Sequence, residues 1–159
     1  MNIVALAPFW LISAFLVALA AAALEDGWRL RISNMFPLAI ILLAIVAFAL
    51  AGLRIALWQN LTLFAALLVF GTFLFSAHLL GGGDVKLLAS CGLWFDLSAG
   101  WRMLTIVAIA GGLLAILILS VRLVVPDDAH RWIPLRPRSG IPYGVAIAAG
   151  TAVAIAILR

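Results

Sequence analysis

The sequence predicts an all-α, polytopic membrane protein with about six transmembrane helices, the fourth short and the N-terminus outside. The first observation behind this is composition. The chain of 159 residues is 67% hydrophobic and 10% charged, where a soluble domain carries roughly 25% charged residues. The second is the length of the apolar runs, which reach what a helix needs to cross about 30 Å of hydrocarbon. The third is where the basic residues fall. With the N-terminus outside, the inner side holds Arg29, Arg31, Lys86, Arg122, Arg131, Arg136 and Arg138, and the outer side only Arg54, Arg102 and Arg159. Cationic loops favour the cytoplasmic face.

The first span is read over Ile3–Leu24, with Pro8 in its opening turns, where proline costs little. Met1-Asn2 has no basic residue and the run outlasts the apolar core of a secretory signal, so it is read as a retained helix. A polar cluster from Glu25 to Asn34 follows, then a second span over Met35–Leu53 with Pro37 near its start. Arg54, Trp58, Gln59 and Asn60 form an interfacial turn before a third span over Leu61–Leu80. Three glycines, Gly81 to Gly83, interrupt the helix and let other groups approach the backbone. The fourth apolar segment, Val85–Phe95, is too short to cross alone and needs protein around it. Asp96, Ser98, Gly100 and Arg102 are read as a turn, Met103–Val121 as the fifth span and Tyr143–Leu158 as the sixth. Gly111 and Gly112 offer a close packing face on the fifth. Residues 1–159 thus form a single transmembrane domain with no soluble domain beside it.

Composition also narrows function. A net charge of +4 on such a chain reflects loop anchoring to membrane lipid and not a nucleic-acid partner. The single cysteine, Cys91, excludes an internal disulfide and a cysteine-rich metal site, and is read as a packing residue. Asp127, Asp128 and His130 resemble a ligand cluster, but among so many prolines and arginines they read as solvated loop. No cofactor or metal is expected.

The chemistry concentrates on two acids. Charge at membrane depth persists where it is paired, solvated or functional. Asp84 follows the glycines and precedes an apolar segment; Asp26 ends the first span. The topology brings both to the same face at the same depth. Two carboxylates a few Å apart share a proton. The ionised one then activates water as general base, and the protonated one polarises a peptide carbonyl and protonates the leaving amine. Which aspartate holds the proton is open. If Asp84 caps the fourth helix, the helix dipole favours its charged form.

The neighbours have plainer readings. Lys86 either steadies the Asp84 charge or extends to the headgroups. Arg29 and Arg31 anchor their loop to anionic lipid. Asn34 is read as the cap of the second span, with a substrate hydrogen bond as the other reading. Glu25 is a rival acid, pointing away from Asp26 because adjacent helical residues diverge. His78 is a satisfied polar residue, and Asp96 lies on the opposite side. The tryptophans are read mostly as an interfacial belt.

These residues bear a family resemblance. Gly81-x-Gly83-Asp84-x-Lys86-Leu87 resembles the GxGD motif of intramembrane aspartic peptidases, in the form of the type IV prepilin peptidases. Asp26 with Leu30-Arg31-Ile32-x-Asn34 resembles their second motif, and Ile141-Pro142-Tyr143-Gly144 with Gly150 their last. The length resembles the short CpaA/TadV-like enzymes of Tad/Flp pili, without the zinc-binding domain of longer relatives. The resemblance implies an inner-membrane endopeptidase that removes the leader of a prepilin or pseudopilin after a glycine on the cytoplasmic side. It implies Asp26 and Asp84 as the catalytic pair, supported by Gly81, Gly83, Lys86 and Asn34, with other pilus-assembly proteins as further partners. Ser33 stands where the family has proline, which is expected to loosen the turn after Asp26. Nothing identifies a methyl-donor site, so N-methyltransferase activity is not assigned. The alternatives are a small ion-coupled transporter gated by Asp84 and an inactive pilus-assembly scaffold.

Overall fold

The computed structural model describes residues 2–52, 57–124 and 140–159. Arg54, Asp127, Asp128, His130, Arg131, Trp132, Arg136 and Arg138 lie outside the described residues. The described residues form helices joined by short turns: α1 (Ile3–Leu6), α2 (Phe9–Arg29), α3 (Met35–Ala51), α4 (Leu57–Ser76), α5 (Gly82–Gly92), α6 (Leu97–Val124) and α7 (Tyr143–Leu158). Three of them, α2, α4 and α6, are long and apolar enough to cross a membrane, and α3 and α7 are shorter apolar helices. Large apolar side chains such as Val69, Phe73, Leu113 and Leu123 cover the outside. That is the surface of an all-α polytopic membrane protein, which expects lipid there.

The first predicted span is divided. Pro8 has no N–H to continue a helix, so α1 ends before it and α2 begins after it, with Pro8 as N-cap. At its other end α2 runs past Leu24 to Arg29 and stops where Leu30 turns left-handed, φ 51°, with its N–H on the Asp26 carbonyl. The predicted end at Leu24 is therefore five residues short. The buried stripe of α2 is Leu11, Phe15, Leu19, Ala22 and Asp26, stepping by three or four. Asp26 occupies the next inward position of a helix seam and not a loop.

The third predicted span also shifts. α4 begins at Leu57 and ends at Ser76, so the interfacial turn at Trp58–Asn60 is helix. Asn60 is fully buried, and its Nδ2 donates to the Leu93 and Phe95 carbonyls, each at 2.9 Å. The Leu93 carbonyl belongs to the C-cap of α5, where a helix leaves acceptors without intrahelical partners, and the Phe95 carbonyl lies in the connection to α6. α5 starts at Gly82, so two of the three glycines are helical and only Gly81 stands outside, as N-cap. Its 11 residues span about 16 Å, half of what a crossing needs. α6 starts at Leu97, and the predicted turn from Asp96 to Arg102 is its opening; Asp96 Oδ1 accepts from the Ala99 N–H at 2.8 Å. The predicted sixth span coincides with α7.

α7 is the central element, packed on α2, α5 and α6. Small residues make this possible. A Cβ on Gly150 would come within 2.6 Å of the Val107 Cα on α6, a separation only glycine allows. At the end of the bundle away from Asp26, Trp94 is fully buried and stacks on Phe15 at 4.4 Å between ring centroids. The belt reading fails for Trp94, while Trp10, Trp28, Trp58 and Trp101 are exposed as expected. Cys91 is a buried packing residue.

Candidate active site

The α2–α3 turn and the N-terminal turns of α5 and α7 meet at one end of the bundle. A cavity of about 630 Å³ lies there between the end of α2 with the α2–α3 turn, residues 25–26 and 29–34, on one side and the start of α5, residues 81–84 and Lys86, on the other. Asp26 is 4% exposed and Asp84 9% exposed, and both face this cavity. They are close enough for the charge of Asp26 to act on Asp84. The two acids, 58 residues apart in sequence, are brought together.

Each is held differently. Asp26 projects from the last turn of α2 onto the start of α7. The Gly144 N–H donates to its Oδ2 at 2.7 Å, and the Val145 backbone adds a second interaction. The first N–H groups of a helix have no intrahelical acceptor, and Asp26 supplies one from a distant element. Asp84 is the third residue of α5. Its Oδ2 accepts from the Gly81 N–H at 3.2 Å, so Gly81 is the N-cap and Asp84, two residues inside the helix start, reaches back to it. Its Oδ1 is buried and has no hydrogen-bond partner among the described residues.

Two contacts explain the glycines. A Cβ on Gly83 would lie 2.9 Å from the Ile32 Cβ, and one on Gly144 would lie 2.6 Å from the Ile32 Cδ1 and 2.8 Å from Asp26 Oδ2. Ile32 is thus wedged between the beginnings of α5 and α7, at 7% exposed. Neither Ile32 nor Gly144 was among the sequence-predicted site residues. The available signal is that both fall inside the motifs that carry the family resemblance, Leu30-Arg31-Ile32-x-Asn34 and Ile141-Pro142-Tyr143-Gly144.

The other predicted residues divide. Lys86 Nζ donates to Asn34 Oδ1 at 2.9 Å, and no salt bridge joins it to Asp84 among the described residues. Asn34 sits at the N-cap of α3 but makes no side-chain cap there, which corrects its capping role: the amide is turned to Lys86. Gly81 contributes its N–H and Gly83 its lack of a side chain. Glu25 also lines the cavity. It is half-buried, accepts from the Ser33 N–H at 2.8 Å and lies 3.6 Å from the Arg29 guanidinium. A proline at 33 could not donate, so the serine ties the turn through Glu25 instead of loosening it. His78, exposed and at φ 58°, and Asp96 do not line the cavity. Among the described residues no three His, Cys, Asp or Glu side chains gather in a way that could hold a metal ion.

A family model, the type IV leader peptidase family, matches residues 13–121. The chain belongs to the type IV leader peptidase family. The matched stretch contains both aspartates and the α2–α3 turn and ends before α7. No curated protein and no solved structure matches the chain. The peptidase is therefore an integral membrane hydrolase by family and by its apolar helices.

Proposed function

We infer that this chain, as a single transmembrane peptidase domain, is the aspartic endopeptidase that removes the leader of a type IV prepilin of the Tad/Flp kind. It cuts after a glycine, at the cytoplasmic side of the inner membrane. The observation that carries the reading is that Asp26 and Asp84, both buried, face one cavity in a chain of this family. The seven inner against three outer basic residues support the sidedness.

The chemistry follows from one proton held between two carboxylates. The ionised aspartate takes a proton from water as the water oxygen bonds to the peptide carbonyl carbon. The protonated aspartate gives its proton to the carbonyl oxygen. When the tetrahedral intermediate collapses, the C–N bond breaks, the leaving amine takes a proton from the aspartate that had accepted it from water, and the other aspartate takes a hydroxyl proton from the intermediate, which restores the single shared proton. Backbone donors at helix starts keep the geometry: Gly144 on Asp26 and Gly81 on Asp84. Preorganised groups of this kind lower the barrier because they need not move during reaction. Glu25, occupied by Ser33 and Arg29, stabilises the turn beside them.

The test is co-expression with a Flp-type prepilin and mass measurement of the pilin product. Loss of a leader ending in glycine with the wild type, and a full-length prepilin without it, supports the reading. An uncut prepilin in both cases would refute it.

A further inference from the structure

The turn between α2 and α3, residues 30–34, is tied at both ends. The Leu30 N–H is on the Asp26 carbonyl and the Ser33 N–H on Glu25 Oε2, each at 2.8 Å and both on α2. Asn34 Oδ1 accepts from Lys86 Nζ of α5 at 2.9 Å. Within this turn only Ile32 is buried. An apolar side chain in a polar turn has to find cover on other elements, and Ile32 finds it on two.

The two surfaces that cover it are the backbones beside the acids. Gly83 precedes Asp84 in α5, and a Cβ there would stand 2.9 Å from the Ile32 Cβ and 3.3 Å from the Ile32 carbonyl oxygen. Gly144 lies in the first turn of α7 and gives its N–H to Asp26 Oδ2. A Cβ on Gly144 would stand 2.6 Å from the Ile32 Cδ1. The root of one side chain therefore bears on α5 and its tip on α7. Any residue but glycine supplies the first contact. Only a side chain that extends to a δ atom supplies the second.

We propose that Ile32 is a positioning residue, a spacer that fixes the start of α7, and with it Asp26, against the start of α5 that carries Asp84. The inference rests on the peptidase reading above. Ile32 has no group that takes or gives a proton, so its effect on rate passes through the geometry of the carboxylates. Water activated by one acid has to attack a carbonyl polarised by the other, and a misplacement of about 1 Å costs about a hundredfold in such an arrangement.

The test measures kcat, KM and the thermal midpoint of purified wild type, Ile32→Leu, Ile32→Val and Ile32→Ala on one Flp-type prepilin. Ile32→Leu keeps a δ carbon and is expected to hold kcat within about threefold of wild type. Ile32→Ala is expected to lower kcat per folded molecule at least about tenfold with KM within about twofold, and Ile32→Val, which removes the δ carbon alone, to fall between them. A raised KM at constant kcat would make Ile32 a substrate contact, and a lowered midpoint at constant kcat would make it packing only; either result overturns the spacer and leaves the peptidase reading standing. A double variant reads the spacer directly. The methyl group of Gly144→Ala meets both the Ile32 tip and Asp26 Oδ2, and Ile32→Val clears the first of these. Gly144→Ala with Ile32→Val is therefore expected to cleave at least about threefold faster than Gly144→Ala alone, whereas losses that simply multiply would show two independent sites and overturn the spacer. No cleavage by the wild type would overturn the inference and the peptidase reading together.

Discussion

The Gly144 N–H donates to Asp26 Oδ2 at 2.7 Å across 118 residues of sequence. One candidate acid is thus anchored by the last helix, which the family match does not reach. Gly144→Ala puts a methyl group 2.8 Å from that oxygen and 2.6 Å from Ile32. Overpacking of this kind costs about 1–3 kcal/mol. Cleavage by Gly144→Ala should fall at least about tenfold while the protein still inserts, as read by initial rates on membranes normalised to enzyme content.

Glu25 and Asp26 are adjacent, line the same cavity and have different partners. Glu25→Gln keeps an acceptor for the Ser33 N–H. Its cleavage rate should stay within about tenfold of the wild type, since one charge-assisted hydrogen bond weakens and one ion pair, to the exposed Arg29, is lost. Rates for Glu25→Gln and Asp26→Asn measured side by side decide which acid is chemical. A dead Glu25→Gln would make Glu25 a member of the machinery.

Lys86 reaches Asn34 and not Asp84. The bond is exposed, and exposed interactions contribute about 0–1 kcal/mol. Lys86→Gln should keep the rate within about fivefold of wild type. A complete loss would show that the ammonium acts on the carboxylates during turnover.

Asn60 lies at the opposite end of the bundle and closes two buried carbonyls. Asn60→Ala leaves both unsatisfied, at about 1–3 kcal/mol each. Its thermal midpoint in detergent should drop clearly, while the rate per folded molecule stays near wild type.

Much of the architecture is legible in hydropathy because membrane helices announce themselves by apolar length. The apolar run alone delimits α7. The pairing of Asp26 with Asp84 followed from counting spans, which fixes the end of the bundle each acid occupies. Helix ends were less legible. Glu25-Asp26 and Gly82-Gly83 fall outside the apolar runs, yet both pairs are helical, because a helix end buried against other helices tolerates polar or small residues that hydropathy scores as a break. Residue type places Trp94 and Asn60 at interfaces, and both are core. Hydropathy cannot separate a side chain facing lipid from one facing another helix. Asn34 fits a cap by sequence, and a lysine brought from 52 residues away takes its side chain. Only the tertiary arrangement supplies that partner.

The most direct test of the central claim is the initial cleavage rate of purified protein in lipid nanodiscs, on one prepilin, for wild type, Asp26→Asn, Asp84→Asn and the double variant. A pair acting as one unit predicts that each single variant loses at least about a thousandfold and that the double loses no more. All variants should elute as the same folded species. Wild-type rate retained by either single variant would contradict the account.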